Sequence, residues 1–140
     1  MVPAFCRVPQ AAVDRIDTPR VAWAACALAR SVPPRSETII LFLDHDRRGR
    51  GLAVVSGTRE PSDVVDVAEF AIHSVVASDE LDALVIASVR PSGEILGDDI
   101  DRWLEMSHVA DAHGVTLVEW FVAGESVWCP RDLLGERPRW

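Results

Sequence analysis

Lysine is absent from the sequence, and the strongly basic residues are all arginine. They number 14 against 22 acidic residues, which gives a formal net charge of −8 at pH 7. No basic stripe interrupts this balance, and a net acidic surface repels phosphate backbones. The composition therefore excludes nucleic acid from the partners that we expect.

The sequence is also poor in cysteine and lacks long apolar runs. Its three cysteines are odd in number and share no CxxC spacing, which indicates free or buried thiols in a reducing compartment. No run reaches the roughly 18 apolar residues of a membrane span. The run VAWAACALA, residues 21–29, imitates the end of a signal peptide, but Asp14 and Asp17 precede it where positive residues belong. We expect a cytoplasmic protein that has no membrane partner.

What the sequence does contain is enough apolar material for one compact domain. Of the 140 residues, 49% are hydrophobic, and a chain of this length buries about 70% of its unfolded surface. We predict an N-terminal arm over residues 1–17, one domain over residues 18–134 and a C-terminal tail over residues 135–140. The tail ends in Trp140 and lacks core periodicity. Two interpretations remain: the tail docks onto a partner or a second copy, or it is disordered.

Hydrophobic periodicity predicts an α/β fold in which a mixed β-sheet is flanked by helices. Thr18 and Pro19 are typical of a helix start, and the continuous apolar run at 38–45 is typical of a central strand. In the last long helix, the predicted inward positions are Ile100, Trp103, Leu104 and Val109. The predicted order α-β-β-α-β-α-β-β comprises a helix from Thr18 to about Arg30, strands at 38–45 and 52–57, a helix capped by Ser62, a strand at 81–89, a helix at 98–112, and hairpin strands at 115–124 and 126–130.

Four stretches in this order resemble those of a known family. SETIILFLDHDRRGR (36–50) is similar to a Glu-led first strand with an Asp-containing turn, and VSGT (55–58) to the end of the second strand. RPSGEILGDDID (90–101) stands where the family has a His-x-His-Pro-Ser-Gly loop and a later Ser-x-x-Asp. GVTLVEWFVAGESVWCPRDLL (114–134) is similar to the closing hairpin. On these stretches, residues 18–134 resemble a RadC-like JAB domain of the JAB/MPN metalloprotease family, which implies a three-layer, cytidine-deaminase-like architecture.

The resemblance implies a hydrolytic zinc site and assigns its positions. In the family, two histidines and one aspartate hold the zinc, a water is its fourth ligand, and a glutamate is the general base. Carried over to this chain, the base is Glu37, the metal aspartate is Asp101, and the serine that supports the intermediate is replaced by Asp98. The two histidine positions are occupied by Ser88 and Arg90.

These replacements argue against a zinc site. A serine hydroxyl is a poor zinc donor, and a guanidinium cannot ligate a metal. Arg90 places a fixed positive charge where the cation would lie, so we predict a pair between Arg90 and Asp101, or between Arg90 and Glu37, in place of zinc. We therefore expect a vestigial site that holds no zinc and no other cofactor.

Each of these residues also has a structural explanation. Asp98 and Asp101 are spaced as the N-cap and the N3 residue of a helix. Glu37 is also explained as a charged residue at the start of a strand. Ser92 and Gly93, after a proline, form an ordinary turn.

Other metal ligands or nucleophiles are weaker candidates. His45 lies in a turn between Asp44 and Asp46, which would gather a cation only weakly, and the histidines lack the spacing of known zinc motifs. Cys129 lies beside Pro130 with no histidine near it in sequence, and we interpret it as a small buried hydrophobe.

The tryptophans include candidate contact residues. Trp103 occupies an inward helical position and is interpreted as core. Trp120 and Trp128 lie on the two strands of the closing hairpin and are predicted to pair across it. Glu119 and Trp120 stand where the family usually has Asp-His. Exposed tryptophan and arginine dominate binding hot spots.

Three functions of different classes follow from these residues. The leading hypothesis is a pseudoenzyme that binds a protein, a peptide strand or a second copy of itself, through Arg90, Ser92, Trp120 and Trp128. The second is a hydrolase with altered, metal-free chemistry that uses Glu37 and Arg90. The third is a small-anion binder at the Arg90 loop, against which the acidic start of the following helix argues.

Overall fold

The computed structural model describes residues 14–93 and 95–140. Most of the predicted N-terminal arm, with Cys6, lies outside the described residues. The elements are α1 (Pro19–Ala27), β1 (Glu37–Asp44), β2 (Gly49–Ser56), α2 (Pro61–Val76), β3 (Leu81–Val89), α3 (Asp98–Ala112), β4 (Thr116–Ala123), β5 (Val127–Trp128) and α4 (Pro130–Leu134). The predicted order is confirmed, and α4 is an additional short helix. Within the described residues, no helix has the length and apolar character that crossing a bilayer requires.

The five strands form one mixed sheet in the order β2-β1-β3-β4-β5. β1 is antiparallel to β2 and to β3, β3 is parallel to β4, and β4 is antiparallel to β5. The parallel pair requires a crossover connection, which α3 provides. The fold is therefore α/β with a mixed sheet flanked by helices, as predicted.

The central strands are apolar along most of their length because helices cover the sheet on both faces. On one face, α2 and α3 pack against side chains that include Ile40 and Ile86. On the other face, α1 packs against Ile39 and Val85, together with Ile16 from the segment before α1. β2 differs from these strands, since most of its residues are exposed.

Of the two N-caps predicted for the first two helices, one is confirmed and one is wrong. Thr18 caps α1, and its hydroxyl accepts a hydrogen bond from the N–H of Val21 at 3.2 Å. α2 is capped by Glu60 and not by Ser62, because Glu60 and Asp63 form a reciprocal capping box. The Ser62 cap was therefore predicted two residues too late.

The third helix has the predicted bounds but a different cap and inner face. Its N-cap is Gly97, so that Asp98 is the first helical residue and not the cap. Leu104 is 40% exposed, contrary to the prediction, whereas Trp103 and Met106 are buried as part of the core.

The C-terminal tail lies against the domain instead of projecting from it. Nε1 of Trp103 donates to the carboxylate of Glu136 at 3.1 Å, and the guanidinium of Arg139 lies over the ring of Trp103. Trp140 packs against the core cluster on the α1 face. The tail therefore contacts both the α3 face and the α1 face of its own domain.

Candidate functional site

The positions assigned by the resemblance lie at one end of the sheet. Glu37 opens β1, and the antiparallel register places it beside the end of β3 that carries Ser88. Arg90 follows β3 directly, and its N–H donates to the carbonyl of Ala123 at the end of β4 at 2.7 Å. The fold thus brings together residues from three strands at the place where the loop after β3 begins.

Ser88 is an internal acceptor for a core tryptophan. Its Oγ accepts a hydrogen bond from Nε1 of Trp120 at 2.9 Å, and both residues are buried. Contrary to the prediction, Trp120 is fully buried and offers no surface to a partner. It also does not pair with Trp128, because Trp128 lies opposite Val122 in the β4–β5 register.

Arg90 forms a two-pronged ion pair with Asp99. The two terminal guanidinium nitrogens donate to the two Asp99 oxygens at 2.7 and 2.6 Å, and the N–H of Leu96 donates to the same carboxylate at 2.6 Å. Asp99 is fully buried, whereas Asp101 is exposed. An ion pair of Arg90 was predicted correctly, but with Asp101 or Glu37 as the partner in place of Asp99. Asp99 and Asp101 are two residues apart, which corresponds to a rotation of about 200° around the helix, so they point to nearly opposite sides. Asp99 faces inward, and Asp101 faces solvent.

Glu37 is held by the loop that precedes its own strand. Its carboxylate oxygens accept hydrogen bonds from the backbone N–H of Ser31 at 2.9 Å and from the Ser31 hydroxyl at 3.1 Å. Nε of Arg35 donates to the same hydroxyl at 3.0 Å. Glu37 is fully buried, and these contacts give it the role of an internal acceptor.

The side chains present do not fit the zinc ion that the resemblance implies. A catalytic zinc takes three protein ligands, commonly imidazole, thiolate or carboxylate. Here the Ser88 hydroxyl is bound by an indole, the Arg90 guanidinium is bound by a carboxylate, and Asp101 and Asp98 face solvent. Within the part of the chain that the structure describes, no group of three or more His, Cys, Asp and Glu side chains is placed to hold a metal.

The closing hairpin carries a second buried ion pair. Nε of Arg131 donates to Glu119 at 2.9 Å, and another Arg131 nitrogen donates to the carbonyl of Glu136 at 2.7 Å. Burial raises the pKa of Glu119 above its usual range, and the hydrogen bond and charge of Arg131 oppose that rise. The pair therefore ties α4 and the tail to β4, next to the core position of Trp120.

The remaining candidates are also occupied or inert. Burial raises the pKa of the Cys129 thiol to about 12, so that it is neutral at physiological pH and a poor nucleophile. His45 bonds the carbonyl of Asp79 at 3.1 Å and the carboxylate of Asp82 at 2.9 Å. Its pKa is raised by the Asp79 carbonyl first and by Asp82 second. Asp44 in the same turn accepts from Nε of Arg50 at 2.8 Å.

Two open cavities flank the loop after β3. Their volumes are about 240 Å³ and about 260 Å³, and Ser92 and Gly93 line both of them. The first is also lined by Glu125, Ser126 and Trp128, and the second by Ser36, Arg59, Arg90, Pro91 and Leu96. We refer to the two cavities together as the loop groove. Three residues predicted to bind a partner line it, and Trp128, which is 40% exposed, is the aromatic one.

The two walls of the loop groove meet at a pair of glycines. The N–H of Gly93 donates to the carbonyl of Arg90, and the N–H of Gly124 donates to that of Ser126, each at 3.0 Å. A Cβ on Gly124 would collide with the carbonyl of Gly93. Position 124 therefore requires glycine so that the two turns can touch.

Sequence reasoning missed Asp99 because it weighed the neighbouring acidic residues as caps and ligands. A signal was present: Asp99, Trp103 and Met106 stand at i, i+4 and i+7, the spacing of one helical face. The buried Trp103 would have placed Asp99 inside as well. For Glu125 and Ser126, which line the first cavity, the sequence contained no comparable signal.

Comparison with protein-family models and with curated proteins gives no match to this chain. The chemistry of the site is therefore inferred from its own residues.

Proposed function

We propose that this chain is a zinc-free, non-catalytic RadC-like JAB domain that binds an extended peptide segment of a partner protein in the loop groove. The order α-β-β-α-β-α-β-β and the helices on both faces of a mixed sheet are those that the resemblance implies. They support the family assignment.

The absence of catalysis is supported by the hydrogen bonds of the assigned residues. A general base must be accessible to its substrate, and Glu37 is fully buried with each of its oxygens accepting a hydrogen bond from Ser31. A metal needs ligands that can turn toward it, and Ser88 is bound to a buried indole. These contacts favour a scaffold over an active centre.

Peptide binding is carried by one observation, the half-exposed indole of Trp128 beside the cavity of about 240 Å³. Recognition sites combine an aromatic anchor with a few polar groups that fix orientation. Ser92 and Ser126 line the same cavity and are the polar residues suited to this role. The second cavity shares Ser92 and Gly93 with the first, and two adjoining cavities are suited to an extended segment more than to a compact ligand.

The two alternative functions gain no support from the contacts. A metal-free hydrolase would need Glu37 free to act as a base, and Glu37 is held by Ser31. An anion binder would need the charge of Arg90, and Asp99 offsets that charge at 2.6 Å. Peptide binding requires neither of these groups.

The proposal is tested by selecting phage-displayed random peptides on the full chain. We expect enriched peptides whose affinity falls by about tenfold or more in Trp128→Ala, since a truncated hot-spot tryptophan costs about 2 kcal/mol or more. Affinity is measured by isothermal titration calorimetry with synthetic copies of the enriched peptides.

Phe70→Ala is the matched control, because Phe70 is an aromatic residue on α2 that is 74% exposed and does not line the groove. Peptides that bind Trp128→Ala as tightly as the unaltered chain would reject the groove as the site. A selection that enriches nothing would reject peptide binding.

A further inference from the structure

The outer edge of β2 is an open row of main-chain hydrogen-bonding groups. β2 ends the sheet, and in the described ranges 14–93 and 95–140 no strand pairs with it on the side away from β1. Such an edge is a template for pairing with another strand. None of residues 51–56 lines the loop groove, so that this edge is independent of the proposed function.

The register shows which groups of β2 face outward. The N–H of Gly57 donates to the carbonyl of Ser36 at 2.8 Å, which makes this a pair that exchanges hydrogen bonds. In an antiparallel ladder, such pairs alternate with pairs that do not. Ala53 and Val55 therefore bond to β1, and Leu52, Val54 and Ser56 direct their N–H and C=O groups away from the sheet.

The same residues present apolar side chains to one face. Leu52 is 44% exposed and Val54 is 43% exposed. They lie opposite Leu41 and Ile39, which belong to the cluster on the α1 face. Side chains of paired residues lie on the same face of a sheet, so Leu52 and Val54 extend that cluster to the edge.

From Gly51 onward, this edge lacks the charges and the proline that often protect one. Residues 51–58 contain no charge and no proline, and no acidic residue occurs between Arg47 and Arg59. Natural edge strands commonly carry lysine, proline or inward charges. The β-bulge at Arg50 limits the regular ladder to the residues that follow it.

We infer that a second copy of this chain pairs with β2 in an antiparallel, two-fold arrangement centred on Ala53. Leu52 of each copy lies opposite Val54 of the other, on the α1 face. Ala53 lies opposite its own equivalent, and Val55 opposite Gly51. The two sheets become one sheet of ten strands across the symmetry axis.

The charge and hydrogen-bonding pattern of the strand favours self-pairing. The outward groups of Leu52 and Val54 match each other through about four main-chain hydrogen bonds, and the ends of the ladder add more. The four half-exposed side chains of Leu52 and Val54 from the two copies bury one another. The two Arg50 residues lie at opposite ends of the ladder, so that like charges stay apart, whereas a parallel pairing would place them side by side.

The test is the mass of the full chain by sedimentation equilibrium from micromolar to millimolar concentration. We expect a dimer, twice the chain mass of 15.4 kDa. Val54→Lys places a charge in each copy against Leu52 of the other, and we expect it to weaken the dimer at least about tenfold. Val55→Lys is the matched control, because it puts the same charge one residue away, opposite Gly51 and on the other face.

Amide hydrogen exchange of the unaltered chain is a second readout that requires no variant. In the dimer the amides of Leu52 and Val54 exchange slowly and become fast on dilution, whereas those of Ala53 and Val55 stay slow. A chain that is monomeric throughout overturns the inference, and slow Leu52 and Val54 amides in that monomer would show that its own residues cover the edge. A dimer that Val54→Lys leaves unchanged would place the interface elsewhere.

Discussion

A guanidinium as buried as that of Arg90, which is 8% exposed, needs a carboxylate close to it because desolvation of a lone charge costs several kcal/mol. Asp99 supplies that carboxylate from the first turn of α3. The pair joins the end of β3 to the start of α3, and the Leu96 N–H adds the intervening loop to the same carboxylate. One side chain thereby holds Arg90 and Leu96 to the start of α3.

We expect Asp99→Asn to lower the free energy of unfolding by about 3 kcal/mol, because it leaves the buried Arg90 charge without its partner. Urea unfolding followed by circular dichroism measures the change. Asp98→Asn is the control, since Asp98 is exposed at the same helix end and its loss should cost about 0.5 kcal/mol.

The double variant Arg90→Met/Asp99→Leu separates pairing from packing. Removing both charges avoids the uncompensated ion, so it should be destabilised less than Asp99→Asn. Equal stability losses for Asp99→Asn and Asp98→Asn would contradict the structural role of the pair.

At the scale of elements, α4 and the tail cover the β4 side of the sheet, whereas no strand of the described residues pairs with the outer side of β2. β5 pairs with only Val122 and Ala123, which leaves most of β4 for α4 to cover. Arg131 of α4 is buried with Glu119 of β4, and Glu136 bonds both Arg131 and Trp103. The two edges of the sheet therefore differ in how far other parts of the chain cover them.

Arg131→Met should destabilise the fold by about 3 kcal/mol at neutral pH, because Glu119 is then buried without a cation. Burial already raises the folded pKa of Glu119, and the loss of Arg131 raises it further. A raised folded pKa gives stability that is present below the unfolded pKa and is lost as pH rises through the folded pKa. The deficit of the variant should therefore shrink as the pH falls from 7 toward the usual glutamate range of about 4.3.

Urea titrations at several pH values measure this dependence, with Arg137→Met as the control because Arg137 is an exposed arginine of the same tail. A deficit that is constant with pH would show that Arg131 acts through packing and not through the charge of Glu119.

The elements were largely predictable from sequence, and their partners were not. The apolar runs of β1 and β3 identify central strands because such strands are covered on both faces. α4 has only five residues, too few for a helical period to be visible. The exposed face of β2 depends on which elements pack together, and local sequence does not contain that information. The inward position of Asp99 is different, since its helical spacing to Trp103 and Met106 was a local signal.

At the scale of the whole molecule, the end of the sheet that the family resemblance links to zinc is closed by internal hydrogen bonds. Each of the three residues binds a different element: Glu37 binds the loop after α1, Ser88 binds β4, and Arg90 binds α3. The resemblance selected these positions for the prediction. Their partners Ser31, Trp120 and Asp99 required the fold.

Elemental analysis of the purified chain, before and after incubation with zinc, should find no zinc above the buffer background. The reason is that a serine held by an indole and an arginine held by a carboxylate provide no ligands. Asp101→Ala should leave the result unchanged. Stoichiometric zinc that Asp101→Ala removes would contradict the proposal, whereas zinc that His45→Ala removes would belong to the turn between β1 and β2.

The contact between Gly93 and Gly124 has a consequence for motion. The Gly93 carbonyl occupies the space that a Cβ of residue 124 would need, and a separation of the turns breaks the bond from the Arg90 N–H to the Ala123 carbonyl. We therefore expect the two turns to rearrange together, so that the amides of both show one exchange rate when relaxation is measured on the microsecond to millisecond scale. For the proposed peptide ligand, we expect entry to be governed by encounter and not by a preceding separation of these two turns.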